Sequence, residues 1–136
     1  MSVQIDVLYE GDLHCSVVHG PSGERFRTDA PVDNQGRGEH VSPTDLVGAA
    51  MGSCMLTIMG IAARTHDIDM SGARARVVKI MSAVPRRHIG ELRIEITLPA
   101  ALDAKSRKKL ERAALGCPVH ASLGPDTHVD LKFVYD

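Results

Sequence analysis

Two cysteines carry the chemistry that most needs explaining. Cys117 stands in Gly116-Cys117-Pro118-Val119-His120, where the proline can open a short helix with Cys117 as its N-cap. The sulfur would then lie at the positive end of a helix dipole with His120 one turn away, and both effects favour the thiolate. Cys-x-x-His is also half of a zinc site, but two further ligands at local spacing are missing, so no metal is expected. Cys54 lies inside a long apolar stretch, where a lone cysteine is most simply a small core hydrophobe. The third, Cys15, falls in the apolar register of a strand and reads as inert core.

The elements that must hold these residues follow from periodicity and punctuation. Val3, Ile5, Val7 and Tyr9 alternate with Gln4 and Asp6, and Leu13, Cys15 and Val17 with His14 and Ser16, with Glu10-Gly11-Asp12 between them: a hairpin. After Gly20-Pro21-Ser22-Gly23, residues 24–28 can form a third strand, and residues 29–41, with Pro31, Asn34, Gly36 and Gly38, read as loop. Ser42-Pro43-Thr44-Asp45 starts a helix, with Ser42 as cap, Pro43 in the first helical position and Asp45 three residues after the cap. That helix runs to Thr65 or His66. It is apolar nearly all round and so predicts burial on every side, which favours a dimer; Gly48 and Gly52 permit close approach either of a partner helix or of a sheet in the same chain.

A second hairpin is expected from residues 73–83 and from Leu92, Ile94, Ile96 and Leu98, which alternate with Arg93, Glu95 and Thr97. Asp103 caps a helix that Gly116 ends, and Val129, Leu131, Phe133 and Tyr135 make a last strand. The order βββ-α-ββ-α-β reads as an α+β fold with antiparallel sheet, in a single domain over residues 1–136.

Composition narrows the function. Of the residues, 43% are hydrophobic and 24% charged, so the chain can build a core. A net charge of -1, no Trp, two Tyr and two Phe argue against nucleic acid, which needs basic excess and stacking surfaces. Residues 1–63 carry a net of -5 and residues 64–136 a net of +4, a weak pointer to self-association. Residues 46–63 hold no charge, at the lower edge of what spans a bilayer, but they contain three Gly and no aromatic belt, so a core helix is preferred to a membrane segment. The start MSVQIDVLYEGD shows no basic segment followed by an apolar run, and the cysteine number is odd. A cytoplasmic, reducing setting is expected, where paired cysteines are catalytic, redox-active or metal-binding rather than structural.

Nothing in local spacing ties Cys54 to Cys117. The run from Ser42-Pro43-Thr44-Asp45 through Leu46-Val47-Gly48-Ala49-Ala50-Met51-Gly52-Ser53-Cys54, followed much later by Cys117-Pro118-Val119-His120 and Val129-Asp130-Leu131, resembles the family of osmotically inducible protein C and organic hydroperoxide resistance protein. The resemblance covers essentially the whole chain. It implies an intertwined homodimer whose sheets wrap long central helices, and a thiol peroxidase that reduces small organic hydroperoxides. Cys54 would attack peroxide and Cys117 resolve the product, with an external dithiol as reductant and no metal or organic cofactor. This ranks the thiols opposite to the dipole argument, and so requires a cation near Cys54.

Members of that family use an Arg from the N-terminal half held by a Glu at the helix start. Arg37 is the leading candidate here, with Arg25 and Arg27 behind it. The Glu is missing: Ser42-Pro43-Thr44 stands where the resemblance expects Asn-Pro-Glu, and the nearest carboxylates are Asp45 and Glu39. On a straight helix Asp45 lies roughly 13 Å from Cys54, so it would act through the Arg or across a dimer. Met51, Met55 and Met59 form a row flanking Cys54 that serves either as core filler or as lining for an alkyl tail. The row Lys105, Lys108, Lys109 and Arg112 reads as a solvated face. The opposing function is a non-catalytic binding or redox-sensing module for a small apolar ligand.

Overall fold

A computed structural model describes residues 1–136, which form two compact units, Met1–Leu46 and Val47–Asp136. The first is an antiparallel meander in the order β1 (Ile5–Gly11), β2 (His14–His19), β3 (Arg25–Asp29). Gly11, Asp12 and Leu13 all take positive φ in the tight β1–β2 turn, a conformation glycine adopts freely and leucine rarely. Past β3 the expected loop contains a short 3-10 turn, Val32–Asn34, that residue pattern did not signal. The loop closes tightly on itself: a side chain on Gly36 would collide with the backbone of Ala30. The Asp29 amide then donates to the Val41 carbonyl at 3.2 Å.

The expected helix start forms as a reciprocal capping box. The Asp45 amide donates to Ser42 Oγ at 3.1 Å, and the Ser42 amide donates to Asp45 Oδ2 at 2.9 Å. Helix α1 spans Pro43–Thr65, its first turn belonging to the N-terminal unit.

The second unit holds the rest of α1, then β4 (Arg74–Ser82), β5 (His88–Leu98), α2 (Ala104–Ala114), α3 (Pro118–Ser122) and β6 (His128–Tyr135). Asp103 caps α2 as expected, accepting from the Ser106 amide at 2.8 Å. Helix α3 opens with Cys117 as N-cap and Pro118 in the first turn, adding one short helix to the predicted order. The sheet runs β4-β5-β6, and one pairing departs from the antiparallel expectation: β5 and β6 are parallel. The chain between them contains both α2 and α3, long enough for the crossover a parallel pair requires.

Alternation along β5 turns Leu92, Ile94, Ile96 and Leu98 into the core, where Met51, Met55, Met59, Ala63, Leu110, Ala114 and Cys117 meet them. Gly48 and Gly52 face this sheet: a Cβ on Gly52 would stand 2.9 Å from Val77, so the glycines admit a strand of the same unit. Burial of α1 on every side is not what the unit supplies. One face is covered, while Ser53, Thr57 and Ile61 on the other are exposed, and only 33% of the most apolar window is buried. By length and composition this helix is apolar enough to cross a membrane.

Helix α2 is tied to β6 by polar chemistry. Tyr135 Oη donates to Glu111 Oε1 at 2.7 Å, and the Arg107 guanidinium lies 3.9 Å from the Tyr135 ring centroid. Arg107 also donates to the carbonyls of Ala100 and Leu102.

Candidate active site

The fold brings Cys54 and Cys117 together although 63 residues separate them. Cys54 sits mid-helix on the flank of α1, half-buried, because the methionines at 51, 55 and 59 take the face that points into the core. Cys117 is held at the start of α3, where Leu110 and Ala114 of α2 share its core; it is only 1% exposed. Its Sγ lies 3.9 Å from Met51 Sδ, a sulfur contact that sequence did not suggest. All three cysteines are free thiols.

Electrostatics at Cys117 correct the dipole argument. Burial pushes its thiol up, and the neighbouring Cys54, through hydrogen bonding and charge, pushes in the same direction. The amides of His120 and Val119 at the start of α3 act the other way, as a helix N-terminus should, but they are outweighed. A five-residue helix offers few aligned peptide dipoles, and a thiolate in an apolar core loses its water. Cys117 is therefore a thiol whose ionisation is opposed by burial, set behind a more accessible one.

The other residues singled out by sequence occupy different settings. Arg37 belongs to the N-terminal unit, with its side chain 69% exposed and its Nη1 donating to Glu39 Oε1 at 3.4 Å. Arg27 pairs with Glu10 at 3.2 Å, and Arg25 is exposed on β3. The Asp45 carboxylate takes the Ser42 amide, which is a helix-start role. Met51, Met55 and Met59 are fully buried core side chains, each with no exposed surface. Lys105, Lys108 and Arg112 are exposed, while Lys109 Nζ approaches His66 Nδ1 at 3.3 Å. Sequence reasoning missed a second cluster, His14 with Asp29 and Glu39 in the N-terminal unit. No local spacing links these three, since the meander and the loop that follows it bring them together.

Comparison with known proteins places this geometry. The family described as OsmC-like protein matches residues 36–132. A search of curated proteins finds no match. Among solved structures, a Psychrobacter arcticus protein described as a putative osmotic stress induced and detoxification response protein is 46% identical, with a TM-score of 0.88 over 95% of this chain and 93% of its own. An organic hydroperoxide resistance protein from Elizabethkingia anophelis has a TM-score of 0.79 at 14% identity, over 100% of this chain and 97% of its own. An OsmC-like protein from Mycoplasma pneumoniae likewise reaches 0.79 at 14% identity, over 99% of both chains. At that distance the last two speak for the fold alone. With the family match covering most of the chain, this protein belongs to the OsmC-like family.

Proposed function

We propose that the chain is a thiol peroxidase that reduces small organic hydroperoxides to alcohols. The observation that supports this reading best is the pairing of a half-buried Cys54 with a buried Cys117 in the same core. A peroxide can reach the first, and the second keeps its proton until an oxidised partner appears. The Cys54 thiolate attacks the distal oxygen of ROOH, the O–O bond breaks, and the departing alkoxide takes a proton to give ROH and a Cys54 sulfenic acid. The Cys117 thiol then condenses with it, forming a disulfide and releasing water, and an external dithiol reduces that disulfide by exchange.

A cation at Cys54 would stabilise both the thiolate and the leaving alkoxide, and Arg37 is the candidate that the family resemblance supplies for it. The working unit in this reading is a cytoplasmic homodimer. The exposed stripe of Ser53, Thr57 and Ile61 on α1, and the apolar side chains of β1, are surfaces a second copy would cover. No metal or organic cofactor enters these steps.

The test is consumption of cumene hydroperoxide by the purified chain with a dithiol reductant, beside Cys54→Ser and Cys117→Ser. Steady turnover is expected in the parent and none in Cys54→Ser. Cys117→Ser should give a single turnover that leaves a sulfenic acid trapped by dimedone. Absence of turnover, with Cys54 unmodified by excess peroxide, overturns the enzyme reading in favour of a binding module.

A further inference from the structure

Outside the dithiol, His14 on β2, Asp29 at the end of β3 and Glu39 in the following loop each bring a donor atom within 4.8 Å of the others. The histidine's tautomer follows from its surroundings. His14 Nδ1 lies 2.8 Å from the Asp12 carbonyl oxygen, which can only accept, so Nδ1 carries a hydrogen. Nε2 is then the atom turned toward the carboxylates, 3.6 Å from Asp29 Oδ2 and 4.0 Å from Glu39 Oε2. Facing two carboxylates, Nε2 has a place for a cation between itself and them, either its own proton or, through a free lone pair, a metal ion.

Asp29 brings a buried carboxylate to the cluster. Its side chain has no exposed surface. Oδ2 accepts the amides of Arg37 at 3.2 Å and Glu39 at 3.0 Å, whereas Oδ1 is buried without a hydrogen-bond partner. The oxygen turned toward His14 is Oδ2, so a cation bound there lowers the cost of burying the carboxylate as a whole. The nearby cations are otherwise engaged: Arg27 is held by Glu10, and Arg37 takes Glu39 Oε1, leaving Oε2 toward His14. A cavity of about 280 Å³ opens onto the cluster, lined among others by Asp12, His14, Glu39 and His40. The His40 ring stands edge-on to His14 with centroids 5.5 Å apart.

We propose that His14, Asp29 and Glu39 bind a first-row divalent cation of the zinc class. One imidazole and two carboxylates are donors of the right hardness for such an ion. Donors 2.0–2.2 Å from a tetrahedral zinc lie about 3.3–3.6 Å apart, so His14 Nε2 and Asp29 Oδ2 at 3.6 Å stand near the required spacing, and Glu39 Oε2, 4.0 Å from Nε2, closes in by a few tenths of an ångström on binding. Three protein ligands leave a coordination position open toward the cavity. Because the ligands come from β2, β3 and the loop, the ion clips the segment before α1 onto the meander. This is a different place from the Cys117–His120 half-site.

Cobalt(II) is the probe, because thiolate ligation gives it an intense charge-transfer absorption that imidazole and carboxylate ligation do not. The full chain, stripped with chelator and kept reduced, should bind one Co²⁺ with no thiolate band. Binding should persist in the Cys54→Ser/Cys117→Ser double variant and weaken by at least about tenfold in His14→Gln and in Glu39→Gln. Glu39 is an exposed side chain, so its variant should keep the parent circular dichroism even if the histidine variant does not. Failure of the parent to bind saturably, a thiolate band, or undiminished binding by Glu39→Gln would each overturn the proposal, and the first would mean that a proton alone occupies His14 Nε2.

Discussion

The two three-stranded sheets use the same alternating pattern to different ends. In β5, every second residue from Leu92 to Leu98 is buried by its own unit, with α1 and α2 supplying the covering side chains. In β1, Ile5, Val7, Leu8 and Tyr9 are all exposed by more than half, and across the whole first unit Val17 is the one large apolar side chain that is buried. What that unit buries instead is polar: Thr28, Asp29 and Ser42. Alternation says that a face wants covering, and it says nothing about which part of which chain provides the cover. The C-terminal unit is held by apolar packing. The N-terminal unit is held by turns, caps and a buried carboxylate.

The largest predicted effect tests the packed side of this contrast. Leu92→Ala removes a fully buried side chain from the centre of the β5 core and should destabilise by about 2–5 kcal/mol, read from the shift in urea midpoint. A loss below about 1 kcal/mol would mean that this core does not carry the unit. Next is the polar side. Ser42→Ala deletes the acceptor for the Asp45 amide and should cost about 1 kcal/mol, with Ser42→Gly costing less because glycine suits the cap conformation.

A smaller effect comes from the polar tie between α2 and β6. Tyr135→Phe removes the hydrogen bond to Glu111 and should cost roughly 0.5–1.5 kcal/mol. Burial, then Glu111, pushes the Tyr135 phenol up to about 12. The folded pKa is raised above the unfolded one, so this group's contribution is complete below the ordinary phenol range and fades as pH rises toward about 12. An absorbance titration should show a late phenolate phase that Tyr135→Phe abolishes. Asp29 behaves oppositely. The Glu39 amide foremost, with His14 and the Arg37 amide assisting, holds its carboxyl below the usual carboxylate range, against desolvation. The loop it anchors should therefore stay ordered through that range and be released only at lower pH, visible as loss of protection at the amides of Arg37 and Glu39.

How far sequence carried these inferences depends on whether the deciding interaction is local. Ser42 with Asp45, Asp103 with Ser106, and the N-cap position of Cys117 were legible because each is a side chain meeting a backbone a few residues away. The parallel β5–β6 pairing was not, since strand direction is set by the path of a crossover that residue pattern does not record. Periodicity also failed on α1. A helix apolar on all sides shows no stripe, so only packing reveals that Met51, Met55 and Met59 face the core and Ser53, Thr57 and Ile61 do not. For Cys117 the local rule was right in sign and too weak, because desolvation is a property of the assembled core. The resemblance supplied the cysteine pair that spacing alone could not connect. His14, Asp29 and Glu39 stayed invisible for the same reason.

The smallest predicted effect is the most discriminating for the exposed sheet. Val7 is 63% exposed and pairs with Val17 across the β1–β2 ladder, so within one chain Val7→Ser removes little buried area. At a concentration where the chain is monomeric, its denaturation midpoint should move by no more than about 0.5 kcal/mol. If β1 is covered by a second copy, the same substitution places a hydroxyl in an apolar interface, and the concentration at which copies associate should rise. Sedimentation velocity across a dilution series separates the two settings. A sheet whose apolar face belongs to an assembly responds in association and hardly at all in monomer stability. A sheet that truly stands alone in water responds in neither, and the contrast between the two units would then reflect the N-terminal sheet's tolerance of exposure rather than a missing partner.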